Sequence, residues 1–535
     1  MTNTHAAIEG SERKPLPGAV ATGRANANST IEVSVKLRRK KELPALTKRP
    51  DTVMTRAQLR DTYGASQADV DKVVQTLGTF GLSLVRADTA SRTVRVRGTI
   101  SAMEAAFQVK LFNYSHANGS YRGRVGAVHI PVALQDIVQG VFGLDNRQVA
   151  RRRRQPIRDN SNVRLASVSS AWYLPSQLAT HYNFPAGDGS GQAVGLLEFG
   201  GGYFPSDLQQ FCTLANIPTP PTVTPVSTDG TPTNSKDGAE GEVMLDIEVV
   251  AGACPKAKIV VYFANWSEQG WITILDAAVQ DQTNNPGVLS VSWGSPEDTD
   301  IWTAQAMEQI NQTLQDAAQI GVTVCVAAGD DGSSDAVSDG QAHVDFPSSS
   351  PYALAVGGTT IPTKGSQQPD IVWFEGDGLR ADNGGSTGGG VSAVFPRPTW
   401  QSAITIQSVN PGSIAGRCVP DLAANADWNA SPYLLVVDGQ SQPNGGTSAA
   451  SPLVASLLTL INAGNASGKR VGYVTPLLYQ SSTGSSGAGA GGCTDVVSGN
   501  NDTATAGGYS AGPGYDAASG WGTPNGVSLA QALAA

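Results

Sequence analysis

Histidine is scarce in this chain: there are five in 535 residues, and only His181 and His343 lie beyond residue 166. A serine enzyme that relies on an imidazole base has few places to find one. Cysteine is as sparse. Cys212, Cys254, Cys325, Cys418 and Cys493 are far apart and odd in number, which excludes a disulfide framework and a thiolate metal cluster. Cys325, in GVTVCVAA, reads as a small buried hydrophobe, and pairing among the other four stays open. Long apolar runs are missing, since LVASLLTLI falls far short of the roughly 18 residues of a membrane span. The opening MTNTHAAIEGSERKPLPG lacks the apolar segment of a secretory signal, which points to a cytosolic start or to export by a route the sequence does not display.

Basic residues are nearly absent from the last two thirds of the chain. From Ser167 onward 9 Lys and Arg face 32 Asp and Glu, a balance of −23, whereas the first 166 residues hold 27 against 13, or +14. The basic part ends in ARRRRQPIR, residues 150–158. This run has no interleaved aromatics and no recognisable DNA or RNA module, so no nucleic-acid partner is expected. A solvated linker, or a basic domain docking on its own acidic partner, accounts for it.

Residues 1–29 are polar and read as a disordered tail. From residue 30 to 146, TIEVSVKLRR reads as a strand, TRAQLRDTYGAS and QADVDKVVQTLGTFGL as helices, and SLVRADTASRTVRVRGT as a strand pair. ISAMEAAFQV follows as a helix, with LFNYSH and VGAVHIPVAL as short strands. The alternation predicts a small α+β domain with an antiparallel sheet. Residues 147–170, charged and then serine-rich, predict an exposed, cleavable linker. The stretch 171–535 has a different rhythm. Apolar strands AVGLLEF, KIVVYF, GVLSVSW, GVTVCVAA and YALAVGG alternate with helical stretches such as GEVMLDIEVVAGA, WITILDAAVQ and TAQAMEQINQTLQDAAQI. That pattern predicts an α/β fold: a parallel sheet with helices on both faces and functional residues at the strands' carboxyl ends. The glycine-rich tail reads as loops held by something other than a core.

GGTSAASP, residues 445–452, places Ser448 on a glycine-rich turn that opens a helix, a common way to present a nucleophile. Neither His181, ahead of the first core strand, nor His343, in a polar loop, sits where a base is expected. Carboxylates offer an alternative. In EGEVMLDIEVV, Glu242 and Asp246 are four apart on an apolar helix and share one face; crowding and burial raise the pKa of at least one. Such an acid works as a base where histidine is protonated. A solvated helix face is the competing reading, because Glu240 and Glu248 flank the pair. Asp330, at a strand end in AAGDDGSSD, is placed either to face a reaction site or merely to cap a turn, with Asp331 beside it.

GEVMLDIEVV, SVSWGS, AAGDDG and GGTSAASP, in that order, resemble the sedolisin family of serine-carboxyl peptidases, and RAQLRDTYGAS resembles that family's activation prodomain. The resemblance implies a subtilisin-like catalytic domain behind an α+β prodomain. It further implies an acid-acting serine endopeptidase, made as a self-activating zymogen; the linker predicts the cut, within residues 155–172. Ser448 would be the nucleophile, Glu242 the general base with Asp246 behind it, and Asp330 the oxyanion-stabilising acid. Glu198, in GLLEFGGGY, and Trp293 would extend the network. One structural Ca²⁺ is implied, held by carboxylates of Asp495 and Asp516 and carbonyls of Val496, Gly512 and Gly514. The implied partners are protein or peptide substrates and the chain's own prodomain, an intramolecular inhibitor and chaperone. A secreted monomer with no membrane partner completes the expectation. A histidine-based subtilisin-like peptidase and an inactive binding protein on the same scaffold are the alternatives.

Overall fold

The structure, a computed structural model, describes residues 4–117, 119–152, 172–365, 368–382, 384–465, 467–480 and 487–534. The N-terminal region is α+β. In Thr30–Leu37 the alternate residues Val33, Val35 and Leu37 are fully buried, giving one apolar face. The strand is central in a four-stranded antiparallel sheet ordered Ser83–Asp88, Thr93–Thr99, Thr30–Leu37, Val138–Phe142. Helices Gln67–Gly78 and Ile100–Phe107 cover it, each starting where a hydroxyl caps a free N–H: Ser66 for Asp69 and Thr99 for Ala102.

Two sequence expectations are corrected here. The polar tail is ordered from residue 4: His5–Ala7 pairs with His129–Pro131, and Val20–Arg24 pairs with Phe112–His116. Backbone pairing and the burial of Ile8 hold it, neither of which depends on an apolar composition. The start of the expected linker is not exposed. Arg147 is buried in an ion pair with Asp145 at 2.8 Å, Val149 and Ala150 are fully buried, and Arg151–Arg152 pairs antiparallel with Trp293–Gly294. The rest of that linker, from residue 153 to 170, lies outside the described residues.

In the second region seven strands run parallel in one sheet. Their order is Val223–Ser227, Lys258–Ala264, Ala193–Phe199, Val288–Val291, Thr323–Ala327, Leu354–Thr360, Leu422–Asn425, and the short Ile371–Val372 joins Leu354–Thr360 antiparallel. Adjacent residues of Ala193–Phe199 supply both faces: Val194 and Leu196 enter one core, Leu197 and Phe199 the other. The first core is covered by Glu240–Ala253, hereafter the acid helix, and Thr447–Gly464, the serine helix. The serine helix is apolar and 18 residues long, but 89% of it is buried within the protein, so it is a core helix. The second core is covered by Glu268–Gln280 and Ala304–Gln319.

The N-terminal domain docks on those last two helices, and its cations meet their acids. Lys36 Nζ lies 2.8 Å from Asp276 Oδ2, Arg39 Nη1 2.9 Å from Asp316 Oδ1, and Arg13 Nη2 2.8 Å from Glu268 Oε1. The opposite charges of the two regions thus meet across an interface. The glycine-rich tail does have a small core of its own, with Val496, Tyr509, Ala517 and Ala518 packed on Val372, Val391 and Cys418. All five cysteines are free.

Candidate active site

The turn before Ser448 requires its glycines. Gly446 has φ +90°, and a Cβ on Gly445 would stand 2.4 Å from the carbonyl oxygen of Ala426. The serine helix then begins at Thr447, so Ser448 lies in its first turn among N–H groups without helical partners. Pro452, inside the helix, has no N–H to offer the Ser448 carbonyl four residues back. That carbonyl instead faces the Ser292 hydroxyl at 3.2 Å.

Ser448 Oγ donates a short hydrogen bond to Glu242 Oε1, from a residue 206 positions away. Glu242 sits in the first turn of the acid helix, where unpaired N–H groups favour negative charge. Asp246, one turn on, accepts from Ser292 Oγ at 2.7 Å and shares a hydrogen bond with Glu198. Glu198 also accepts from Trp293 Nε1 at 3.0 Å. Ser448, Glu242, Asp246 and Glu198 are all fully buried, and so is Glu248, which accepts from Val436 N–H at 2.7 Å. The acid helix therefore has no solvated carboxylate face at these positions. Burial, then the charge of Glu242, pushes Glu198 well above the usual carboxylate range; burial, then Glu198 and Glu242, does the same to Asp246.

Asp330 follows the strand Thr323–Ala327 and reaches the nucleophile's neighbour, with Oδ1 accepting from Thr447 N–H at 2.8 Å and from its hydroxyl at 2.7 Å. Asp331 points elsewhere. Its carboxylate accepts from Arg380 N–H and from Arg380 Nε, each at 2.9 Å, in a buried ion pair. The two adjacent acids thus differ in the hydrogen bonds they accept, Asp330 from Thr447 and Asp331 from Arg380.

The histidines are engaged away from Ser448. His181 Nε2 bonds Asp370 at 3.0 Å. His343 is held between Asp298 at 2.6 Å and Asp339 at 3.0 Å. Burial pulls its pKa down, but the two carboxylates outweigh that and lift it to about 9, so it is a cation rather than a base. Reasoning from sequence passed over Ser292, Thr447 and Arg380. Ser292 had a signal, standing just past a strand's carboxyl end beside Trp293; Arg380 had none, as it opens a three-residue 3₁₀ turn in a polar, glycine-rich stretch.

The family model for the activation domain of pro-kumamolisin matches residues 17–147, and that for the subtilase family matches residues 230–522. Kumamolisin of Bacillus sp. (strain MN-32) is 40% identical over 98% of this chain and 96% of its own length. The chain belongs to the sedolisin family. Sedolisin of Pseudomonas sp. (strain 101) is 29% identical over 97% of this chain and 89% of its own. The solved structure of Pseudomonas sedolisin, a serine-carboxyl proteinase complexed with pseudo-iodotyrostatin, superposes with a TM-score of 0.57 at 28% identity, covering 68% of this chain and 98% of that one. This sedolisin-family protein is a serine-type peptidase of subtilisin-like fold, made with an activation prodomain.

The sedolisin-family chain also brings together the tail residues suspected of holding a metal. Asp495 Oδ2 accepts from Gly514 N–H at 2.8 Å, and Asp516 Oδ2 from Gly512 N–H at 3.1 Å, so both carboxylates converge on one glycine-rich loop. Asp495 Oδ1 is buried without a hydrogen-bond partner. Two carboxylates and the loop's carbonyls make an all-oxygen donor set, which suits a hard cation such as Ca²⁺.

Proposed function

We propose that this peptidase is an acid-acting endopeptidase in which Ser448 is the nucleophile and Glu242 its general base. The hydrogen bond from Ser448 Oγ to the buried Glu242 carboxylate carries this reading. As the hydroxyl attacks a peptide carbonyl, its proton passes to Glu242, which returns it to the leaving amine. Water then attacks the acyl-enzyme, giving a proton to Glu242 that goes back to Ser448. Asp246 and Glu198 hold protons in reserve behind Glu242, and Trp293 orients Glu198. Asp330, whose Oδ1 accepts from Thr447 beside the nucleophile, is the acid that in its protonated form donates to the oxyanion. An imidazole would be protonated under the same acidic conditions.

One structural Ca²⁺ would be held by the carboxylates of Asp495 and Asp516 with carbonyls of Val496, Gly512 and Gly514. When bound it ties the tail loops to the fold and takes no part in the reaction. The domains divide into a prodomain at 30–146, a joining segment at 147–170 and a peptidase at 171–535. The prodomain serves as intramolecular inhibitor and chaperone until a cut within 155–172 releases a secreted, monomeric enzyme. Its contacts Lys36–Asp276 and Arg39–Asp316, with Arg13–Glu268 from the ordered segment ahead of it, support the inhibitory role.

A pH–rate profile of the activated protein, beside Ser448→Ala, Glu242→Ala and His343→Ala, tests the assignment. An acidic optimum, with activity lost in the first two variants and kept in the third, is expected. An optimum at neutral pH with loss only in Ser448→Ala and His343→Ala would return the base to histidine.

A further inference from the structure

Ser292 stands between two groups that the reaction must hold in register. Its hydroxyl lies 2.7 Å from Asp246 Oδ2, 3.0 Å from Asp246 Oδ1 and 3.2 Å from the carbonyl oxygen of Ser448. That carbonyl is the one Pro452 leaves without its helical N–H. The main chain of Ser292 takes part as well, its carbonyl oxygen lying 3.4 Å from Ser448 Oγ. Two residues earlier on the same strand, Ser290 Oγ meets Ser451 Oγ at 2.9 Å, so the strand end is stitched to the serine helix twice. One residue later, Trp293 orients Glu198.

We propose that Ser292 is a positioning residue: its hydroxyl ties Asp246 to the backbone of the turn that carries the nucleophile. The inference rests on the roles given above to Ser448 and Glu242. A serine hydroxyl has one proton to donate. When Asp246 is ionised the proton points to its carboxylate; when Asp246 holds a proton, the hydroxyl is released towards the Ser448 carbonyl. The bond therefore follows the charge of the acid pair, which a purely packed side chain would not do. Two titratable groups face Asp246, Glu242 from its own helix and Glu198 from the strand Ala193–Phe199. Donation from Ser292 favours the carboxylate form of Asp246. Without it a proton shared among these acids rests more on Asp246, so Glu242 stays ionised to lower pH and is a weaker base.

The test compares Ser292→Ala, Ser292→Thr and Pro452→Ala in the activated full-length product, with thermal unfolding as the control for folding. In Ser292→Ala, kcat falls about 10- to 100-fold, the scale of one hydrogen bond to a charged group, while KM changes little. The acidic limb of kcat/KM moves to lower pH by roughly half to one pH unit. Ser292→Thr restores the hydroxyl and with it most of kcat. Should the threonine methyl prevent folding, Pro452→Ala decides alone: added to Ser292→Ala it gives the Ser448 carbonyl its N–H but does not return the hydroxyl to Asp246, and the limb stays displaced. An acidic limb in Ser292→Ala that coincides with the parent's, or its full return on adding Pro452→Ala, overturns the proposal. Activity surviving in Ser448→Ala or Glu242→Ala refutes instead the underlying assignment of nucleophile and base, whatever Ser292 does.

Discussion

The prodomain and the peptidase domain both bury charge, but the shifts that burial produces fall mainly on cations in one and on carboxyls in the other, and the consequences differ. In the prodomain burial acts on cations: it draws Lys36 down to about 8, and Arg92 and Arg124 to about 10. In the peptidase it acts on carboxyls, lifting Glu198, Asp246 and Glu248 well above their ordinary range, Glu297 to about 7 and Glu375 to about 9. A buried acid can shed its charge by keeping a proton, and acid conditions favour that. A buried ammonium or guanidinium keeps its charge in acid and needs an ionised partner, which acid takes away. The same drop in pH therefore suits one domain and loosens the other's grip on it.

The sign for each side follows from the direction of the shifts. Glu297 and Glu375 have folded-state pKa values raised above the unfolded ones, so their contribution is complete below about pH 4 and is lost as pH rises through about 7 and then about 9. Asp145 in the prodomain is the opposite case. Burial alone would raise it, but Arg13 and its bond to Arg147 outweigh that and hold it low, so its contribution is present above about pH 4 and lost in stronger acid.

The contrast can be broken most severely at the nucleophile. Ser448→Ala should lower peptide hydrolysis by at least about 10³-fold and leave the chain uncut at every pH, read by activity assay and by the mass of the purified protein. Glu242→Gln keeps the shape and removes the base. A loss of about 10²- to 10⁴-fold in kcat is expected with the fold intact; a variant within tenfold of the parent would exclude Glu242 as base. Asp276→Ala strikes the interface instead, stranding the fully buried Lys36 without its carboxylate. Breaking such a pair costs about 3–5 kcal/mol, so self-processing should begin at higher pH than in the parent, as followed by gel. Chelation of Ca²⁺, or Asp516→Asn, should lower the thermal midpoint of the mature enzyme by roughly 5 °C, reversibly for chelation. Smallest is the pH effect itself. Between pH 5 and pH 9 the midpoint of the mature enzyme should fall by about 2–4 °C, and a midpoint rising over that range would contradict the burial of protonated acids.

Much of the fold was legible because strand and helix periodicities are local. The continuous apolar runs of Ala193–Phe199 and Thr323–Ala327 announce strands covered on both faces, and Ser66 and Thr99 mark helix starts. The polar stretch of residues 4–29 was not legible. It is held by pairing with strands about a hundred residues away and by Arg13 on Glu268, and composition records neither. At the site, Glu242 and Asp246 could be suspected from their spacing, and Asp330 from its place at a strand end. Asp331 could not be told from its neighbour, because the residues that bond one and the other, Thr447 for Asp330 and Arg380 for Asp331, lie 117 and 49 positions away.

By itself the sequence determined which chemistry was available: a serine on a glycine turn, a helix carrying two acids a turn apart, few histidines, and a split of charge between two regions. Those are properties of residue type and short spacing. Tertiary structure alone decided which of these groups meet. The sheet order carries the acid helix and the serine helix onto one face, so that a carboxylate and a hydroxyl 206 residues apart share a hydrogen bond. It also sets Ser292 against the carbonyl that Pro452 leaves open. The physical reason is range: propensity and capping act within a few residues, whereas a hydrogen bond between distant segments exists only once burial has fixed the packing that aligns them.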